Sequence, residues 1–534
     1  MKRSKTFLIV FLLLALLLPE ALLAGGGGEQ PAPAAAQPAP AAEKPSAGPK
    51  RGGTLNAAMM VKITSMDPLT GNSFVGEGCV YLAIYNRLLR KDDAGKLVPE
   101  LAKSWTVSPD GKRVTFELQQ GVTFHDGTPF NAQAVKFNYD RLLNPKDATT
   151  AYQYFTDVES FEAVGNFQLV MNLKRPSAVV MDALTYRGGF IVSPTAFKTL
   201  GANFAQTPVG TGPFKLVEWI PDNRVVMTRN ENYWEKGADG QRLPYLDKVV
   251  LRIITDDSVR TIEIQSGNSD LSVRVPAESM EIVRKDAKLE VVQTPIADVF
   301  RLFLNQRKPP FNNLKLRQAV GYAFDRAAMA KAIVPGQGYV APFLIMPGEP
   351  YYSPYDPFTY DAAKAKQLVA EAGYPNGLDV EFMMIAREPD NSIGPVVQSY
   401  LAAIGIRTKI QPLERQIYVD RGVKGEFELA LAQKTIPMVS PFLLFAEQLA
   451  SNGSGNRAAW KNAQFDELLN RLGGAFDLAQ QKSLIAEMQK IHLDEAGQTY
   501  LFHRANYNAN SRKVRNVQFQ NEGAWRFTEA WLDN

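Results

Sequence analysis

The spacing of apolar residues along this chain switches repeatedly between the two-residue period of a strand and the three-to-four-residue period of a helix. Residues 53–59 read as an opening strand, followed by a turn at Asp67-Pro68. Leu82, Tyr85 and Leu88-Leu89 form one apolar stripe, which predicts a helix over 80–90. Trp105 and Val107, then Pro109-Asp110-Gly111, then Val114, Phe116 and Leu118 predict a hairpin over 104–118. A helix capped by Asn131 is expected over 131–143, and residues 161–173 alternate as a strand. Helices are expected over 195–200 and 256–266, with strands within 212–230 and over 246–254. Residues 289–304 are strand-rich, and 314–324 and 326–334 are helical. An amphipathic helix over 361–372 stops at Gly373 and Pro375. Residues 378–386, 392–403 and 407–412 then read strand, helix, strand; 466–472 and 478–495 read as helices and 500–502 as a buried strand. This alternation predicts α/β lobes with mixed sheets rather than a barrel or a sandwich.

The first fifty residues break the pattern. Lys2, Arg3 and Lys5 precede an apolar run from Phe7 to Leu18. A helix needs about 20 apolar residues to span a membrane, so this run fits the core of an export signal, expected over 1–26. Leu23-Ala24-Gly25 resembles the end of a lipoprotein signal, yet Gly26 stands where the lipidated cysteine belongs. A soluble, exported protein without a lipid anchor is expected. Residues 27–51, rich in Pro, Ala and Gly, read as a disordered linker.

Composition narrows the function. The 534 residues carry 59 Lys+Arg against 55 Asp+Glu, too even a balance for a nucleic-acid binder. The single cysteine, Cys79, permits no internal disulfide and reads as buried packing. The three histidines lie at 125, 492 and 503. His125 reads as a turn residue bonding backbone, and neither other histidine stands at metal-ligand spacing. Ser451-Asn452-Gly453-Ser454-Gly455 only loosely matches a nucleophile elbow and has the composition of a loop. No catalytic residue, metal or cofactor is expected.

Several segments carry a resemblance. Pro99-Glu100-Leu101-Ala102-Lys103-Ser104-Trp105 is followed by Ser108-Pro109-Asp110-Gly111 and by Gly121-Val122-Thr123-Phe124-His125-Asp126-Gly127. Further on come Gly210-Thr211-Gly212-Pro213-Phe214, Asn230-Glu231-Asn232-Tyr233-Trp234, Arg317-Gln318-Ala319 and Gly373-Tyr374-Pro375. In this order, over 52–534, they resemble the extracytoplasmic solute-binding protein family 5, the dipeptide, oligopeptide and nickel group of ABC importers. The resemblance implies an α/β, two-lobed periplasmic-binding-protein fold (type II, cluster C) with an extra domain inserted in lobe I. Lobe I would combine 52–84, 193–296 and 498–534, the extra domain 85–192, and lobe II 297–497, with a hinge near 296 and 498. It also implies a monomeric, periplasmic carrier that closes on a small-molecule or peptide solute and delivers it to ABC permease subunits.

In peptide-binding members an acidic residue of lobe II takes the ligand's α-ammonium. The matching stretch here, Ala432 to Pro441, holds no carboxylate, so a simple dipeptide with a free amino terminus is not expected. Family topology suggests as cleft residues Ser65 and Met66 after the first strand, Phe74 and Glu77, and Arg301 and Asn305 near the crossing. It adds Arg387 and Lys434 for an anionic ligand, then Met438, Ser440, Phe442 and Tyr507. An oligopeptide held through its backbone is the alternative ligand, and an extracytoplasmic chaperone or sensor partner the alternative function.

Overall fold

A computed structural model describes residues 48–71, 74–92, 94–144, 151–436, 440–520 and 523–533; the expected export signal and most of the expected linker lie outside them. Two long strands organise the molecule. Leu289–Leu304 and Thr499–Ser511 run antiparallel along most of their length. The first is rich in the β-branched and aromatic residues that suit a pleated, half-buried surface. The second extends far beyond the expected 500–502, because polar residues hide it from a hydrophobic reading. Those residues have fixed partners: Arg504 binds Asp298, and the Asn508 side chain accepts the Arg274 N–H at 3.0 Å.

Near its middle the ladder breaks. Gln293 faces Tyr507 and Ala297 faces Ala505, so Thr294-Pro295-Ile296 stand opposite Asn506 alone. Pro295 has no N–H to give a ladder. On one side of the break the sheet continues through Leu271–Ser272, Thr54–Met59, Lys248–Ile253, Arg224–Arg229 and Phe214–Ile220. On the other it continues through Leu429–Ile436, Leu378–Ile385 and Ile406–Leu413. The two lobes therefore share one 11-stranded mixed sheet through the long strands.

Each lobe has its own core. Leu55, Tyr81, Phe214, Leu251 and Trp525 pack together in the first; Phe300, Leu316, Phe382 and Val397 do so in the second. A separate four-stranded antiparallel sheet orders Ala102–Val107, Arg113–Leu118, Gln168–Leu173 and Val158–Val164. The helix Ala132–Leu143 covers it, with Tyr139 stacked on Phe161 at 4.2 Å. Asn131 caps that helix as expected, accepting the Ala134 N–H at 2.9 Å.

Two expected elements differ. The helix expected over 80–90 is Phe74–Ile84, and Leu89 belongs to a short strand, Leu89–Lys91. Cys79 to Ile84 are all buried, so no polar face marks the helix. Residues 161–173 form two strands joined by a turn at Gly165, whose φ of 59° suits glycine. Among the elements with no expectation are the helices Ala178–Ala183, Met280–Lys285, Arg415–Lys424 and Pro441–Gln448 and the strand Leu429–Ile436.

Candidate functional site

In open α/β sheets, ligands bind beyond the carboxyl ends of strands. The strand Leu429–Ile436 ends at such a place, beside Ala297 where the long strand enters lobe II. A cavity of about 700 Å³ opens there. Tyr154 and Tyr186 wall it on the side of the four-stranded domain and lobe I, and Lys434, Ile436, Ser440 and Glu447 on the side of lobe II.

The lobe I side is built on a paired network. Phe74 packs against Tyr186 in a tilted pair, ring centres 4.5 Å apart, and so fixes the ring that faces the cavity. Behind it Glu77 is fully buried, accepting the Thr64 N–H at 3.2 Å and the Tyr81 hydroxyl at 3.3 Å, with Arg187 at 3.6 Å. Arg187 also donates to the carbonyls of Gly71 and Pro68. Burial, then the charge of Glu77, pushes the Tyr81 hydroxyl far above its ordinary pKa. Asp67 is held by Arg141, which lies over Phe197 at 4.2 Å. The Ser65 hydroxyl meets that of Thr70 at 2.8 Å, and the Met66 carbonyl accepts the Tyr85 hydroxyl at 2.8 Å. Of the four residues suggested here, Phe74 supports Tyr186 directly, whereas Ser65, Met66 and Glu77 lie in the network behind it and none of the four lines the cavity.

The lobe II side is rich in cations. Lys434 pairs with Glu447 at 2.9 Å on the cavity wall. A second pocket of about 290 Å³ adjoins the cavity, sharing Lys434, Glu447 and Ser454 with it. Arg301 lines this pocket, and its Nη2 donates to the Gln448 side chain. Burial pulls the Arg301 pKa down. Arg387 pairs with Asp390 at 2.9 Å and donates to Gln433 at 2.6 Å. At the strand crossing Asp298, fully buried, binds Arg504 at 2.5 Å, accepts the Thr435 hydroxyl at 2.6 Å and has Arg274 at 3.5 Å.

Three suggested residues lie elsewhere, and one cannot be placed. Asn305 donates to the carbonyls of Gly425 and Phe427 at the far end of the long strand. Phe442 packs into a lobe II core, and Tyr507 lies under Arg284. Met438 is outside the described residues. Tyr154, Tyr186 and Glu447 also line the cavity and carry no sequence expectation. The aromatic run Tyr152-Gln153-Tyr154-Phe155 was the available signal for the first, whereas Glu447 lies on one of the unexpected helices.

The remaining reactive groups are structural. Cys79 is buried, accepts the Trp525 N–H at 3.2 Å, and is pushed up to about 12 by burial. A ring nitrogen of His125 lies 2.9 Å from the Gly212 carbonyl, and burial lowers its pKa to about 4. His492 and His503 are buried, each lowered to about 3 mainly by desolvation. Among the described residues no group of three or more His, Cys, Asp or Glu is placed to hold a metal ion, and no helix is long and apolar enough to cross a membrane.

Residues 96–456 match the family described as bacterial extracellular solute-binding proteins, family 5 Middle. A glutathione-binding protein GsiB from Pectobacterium atrosepticum is 29% identical over 489 residues, covering 88% of this chain and 92% of its own. The structure of HbpA2 from Haemophilus parasuis superposes with a TM-score of 0.82 at 25% identity, covering 90% of this chain and all of that one. DppA from Helicobacter pylori, solved with the peptide STSA, gives a TM-score of 0.70 at 28% identity over 91% of this chain and 99% of that one.

Proposed function

The chain belongs to the family 5 bacterial extracellular solute-binding proteins, and on that premise we propose that it captures an anionic, peptide-like solute between its lobes and delivers it to ABC permease subunits. The observation that carries the ligand class is the charge of the lobe II wall. Glu447 is already neutralised by Lys434, so an incoming α-ammonium meets a cation rather than an open carboxylate. Desolvating that ammonium without a counter-charge is unfavourable. Glutathione keeps a free α-ammonium on its γ-linked glutamate but carries two carboxylates, so its net negative charge suits a cation-rich wall better than the zero net charge of a simple dipeptide, and the GsiB relatives are named for glutathione.

Carriage rather than chemistry is consistent with the inert Cys79 and the buried histidines. Closure would turn about Thr294-Pro295-Ile296 and Asn506, where the shared ladder breaks. On this reading lobe I comprises 52–84, 193–296 and 498–534, the extra domain 85–192 and lobe II 297–497. Export by residues 1–26 would place the mature chain outside the cytoplasm. A second reading, an ordinary oligopeptide binder, is favoured by Glu447 itself: swung off Lys434, it could accept an α-ammonium. Calorimetric titration with reduced glutathione, glutarate and tri-alanine separates the two. Binding of tri-alanine alone would overturn the anionic reading.

A further inference from the structure

The 290 Å³ pocket lies between the sheet surface at Arg301, Phe303 and Met383 and the helix Arg415–Lys424. Its lining carries five cations, Arg301, Arg387, Arg415, Lys434 and Arg457, against two carboxylates, Asp390 and Glu447. Both carboxylates are already taken, Asp390 by Arg387 and Glu447 by Lys434, each at 2.9 Å. Among the described residues Arg301, Arg415 and Arg457 have no carboxylate at ion-pair distance.

Arg301 is the telling member. It is 2% exposed, its Nε and Nη1 have no partner of good hydrogen-bond geometry among the described residues, and the hydroxyl beside it, Tyr500, is kept neutral by burial. The side chain reached by its third nitrogen, Gln448, is neutral. The Tyr418 hydroxyl is committed to the Leu431 carbonyl at 2.6 Å. A buried guanidinium without a counter-charge is unfavourable, and a protein keeps one at a cost in stability. The pocket and the interlobe cavity share Lys434, Glu447 and Ser454 as a common wall, so the pocket lies next to any solute held in the cavity.

We propose that this pocket seats an anionic group of the solute, a carboxylate on a short chain, with Arg301 as its buried counter-charge and Arg457 at its side. Its volume, at the lower end of the about 300–1,000 Å³ usual for ligand pockets, is ample for such an arm. The lobe II wall then has two levels: the Lys434–Glu447 pair at the entrance and an arginine floor beneath. Glutathione as the whole ligand rests on the reading above; the carboxylate site does not.

The test titrates wild type, Arg301→Met and Arg457→Gln with reduced glutathione and with glutarate, a dicarboxylate of the size of one arm. The proposal expects Arg301→Met to weaken binding of whichever probe the wild type accepts by about tenfold to a hundredfold, as for a hydrogen bond to a charged group. Arg457→Gln, at the pocket's side, should weaken it severalfold and decides the matter if Arg301→Met does not fold. Glutarate bound through Arg301 while glutathione is refused by the wild type would sustain the pocket and sink glutathione as the solute. Equal affinity in wild type and variants, or no binding of either probe to the wild type, overturns the proposal.

Discussion

On the lobe I wall, Glu77 is buried among Thr64, Tyr81 and Arg187, and Asp67 is bound by Arg141. On the lobe II wall, Arg301 is buried about as deeply, yet no carboxylate touches it among the described residues. The first wall has its charges balanced within the chain and acts as a finished scaffold under Tyr186. The second holds positive charge in excess of its carboxylates, which Lys434 and Arg387 already occupy. A buried ion pair contributes little net stability but is costly to break, whereas an unpaired buried charge is costly to keep. The contrast separates residues that build the cleft from residues that wait for a ligand.

The sharpest way to break the comparison is Glu77→Ala. It leaves Arg187 buried opposite an empty place, and we expect a loss of about 3–5 kcal/mol in urea unfolding. A loss under 1 kcal/mol would mean that the lobe I network is not the scaffold described. Acid should expose a second difference. The buried His492 and His503 are neutral when folded, with pKa values lowered to about 3 against an ordinary 6.5. As pH falls below 6.5 the unfolded chain takes up protons that the folded chain refuses, so stability drops toward pH 3. His503→Gln should therefore make the acid limb shallower by about 1.4 kcal/mol per pH unit, read from Tm or urea midpoints across that range.

At the rim away from the long strands, Phe476 of lobe II packs against the core that holds Trp105 and Val107. Phe476→Ala should remove about 1 kcal/mol from the arrangement that brings lobe II against this core, seen as a severalfold weaker affinity and a larger radius in small-angle scattering without ligand. The smallest effect is expected where charge is in excess. Arg301→Met in the absence of solute should leave Tm unchanged or raise stability by up to about 1 kcal/mol, the opposite sign to Glu77→Ala. A clear loss would place Arg301 with the scaffold.

Much of the frame was legible in the sequence. Asn131 announces its helix because a side-chain cap is a local event, and Pro109-Asp110-Gly111 announces its hairpin for the same reason. The family motifs lie on such local turns, so the resemblance to a two-lobed carrier could be read early. The helix Phe74–Ile84 was misplaced because burial erases the amphipathic stripe that marks a helix. The site was less legible. Arg301, Arg387, Lys434 and Ser440 were named from family topology, and the structure brings them to the lobe II wall. Asn305 and Phe442 look equally suitable as residue types but are spent on the Gly425 and Phe427 carbonyls and on a lobe core. Glu447 was invisible because its pairing with Lys434 depends on a helix that no periodicity revealed.

The central claim is that the cleft selects an anionic, peptide-like solute. Its most direct test is competitive calorimetry on the wild-type protein with reduced glutathione and tri-alanine at matched concentration. The account predicts tighter binding of glutathione, lost as salt screens the lobe II cations. Tighter binding of tri-alanine, unchanged by salt, would contradict it.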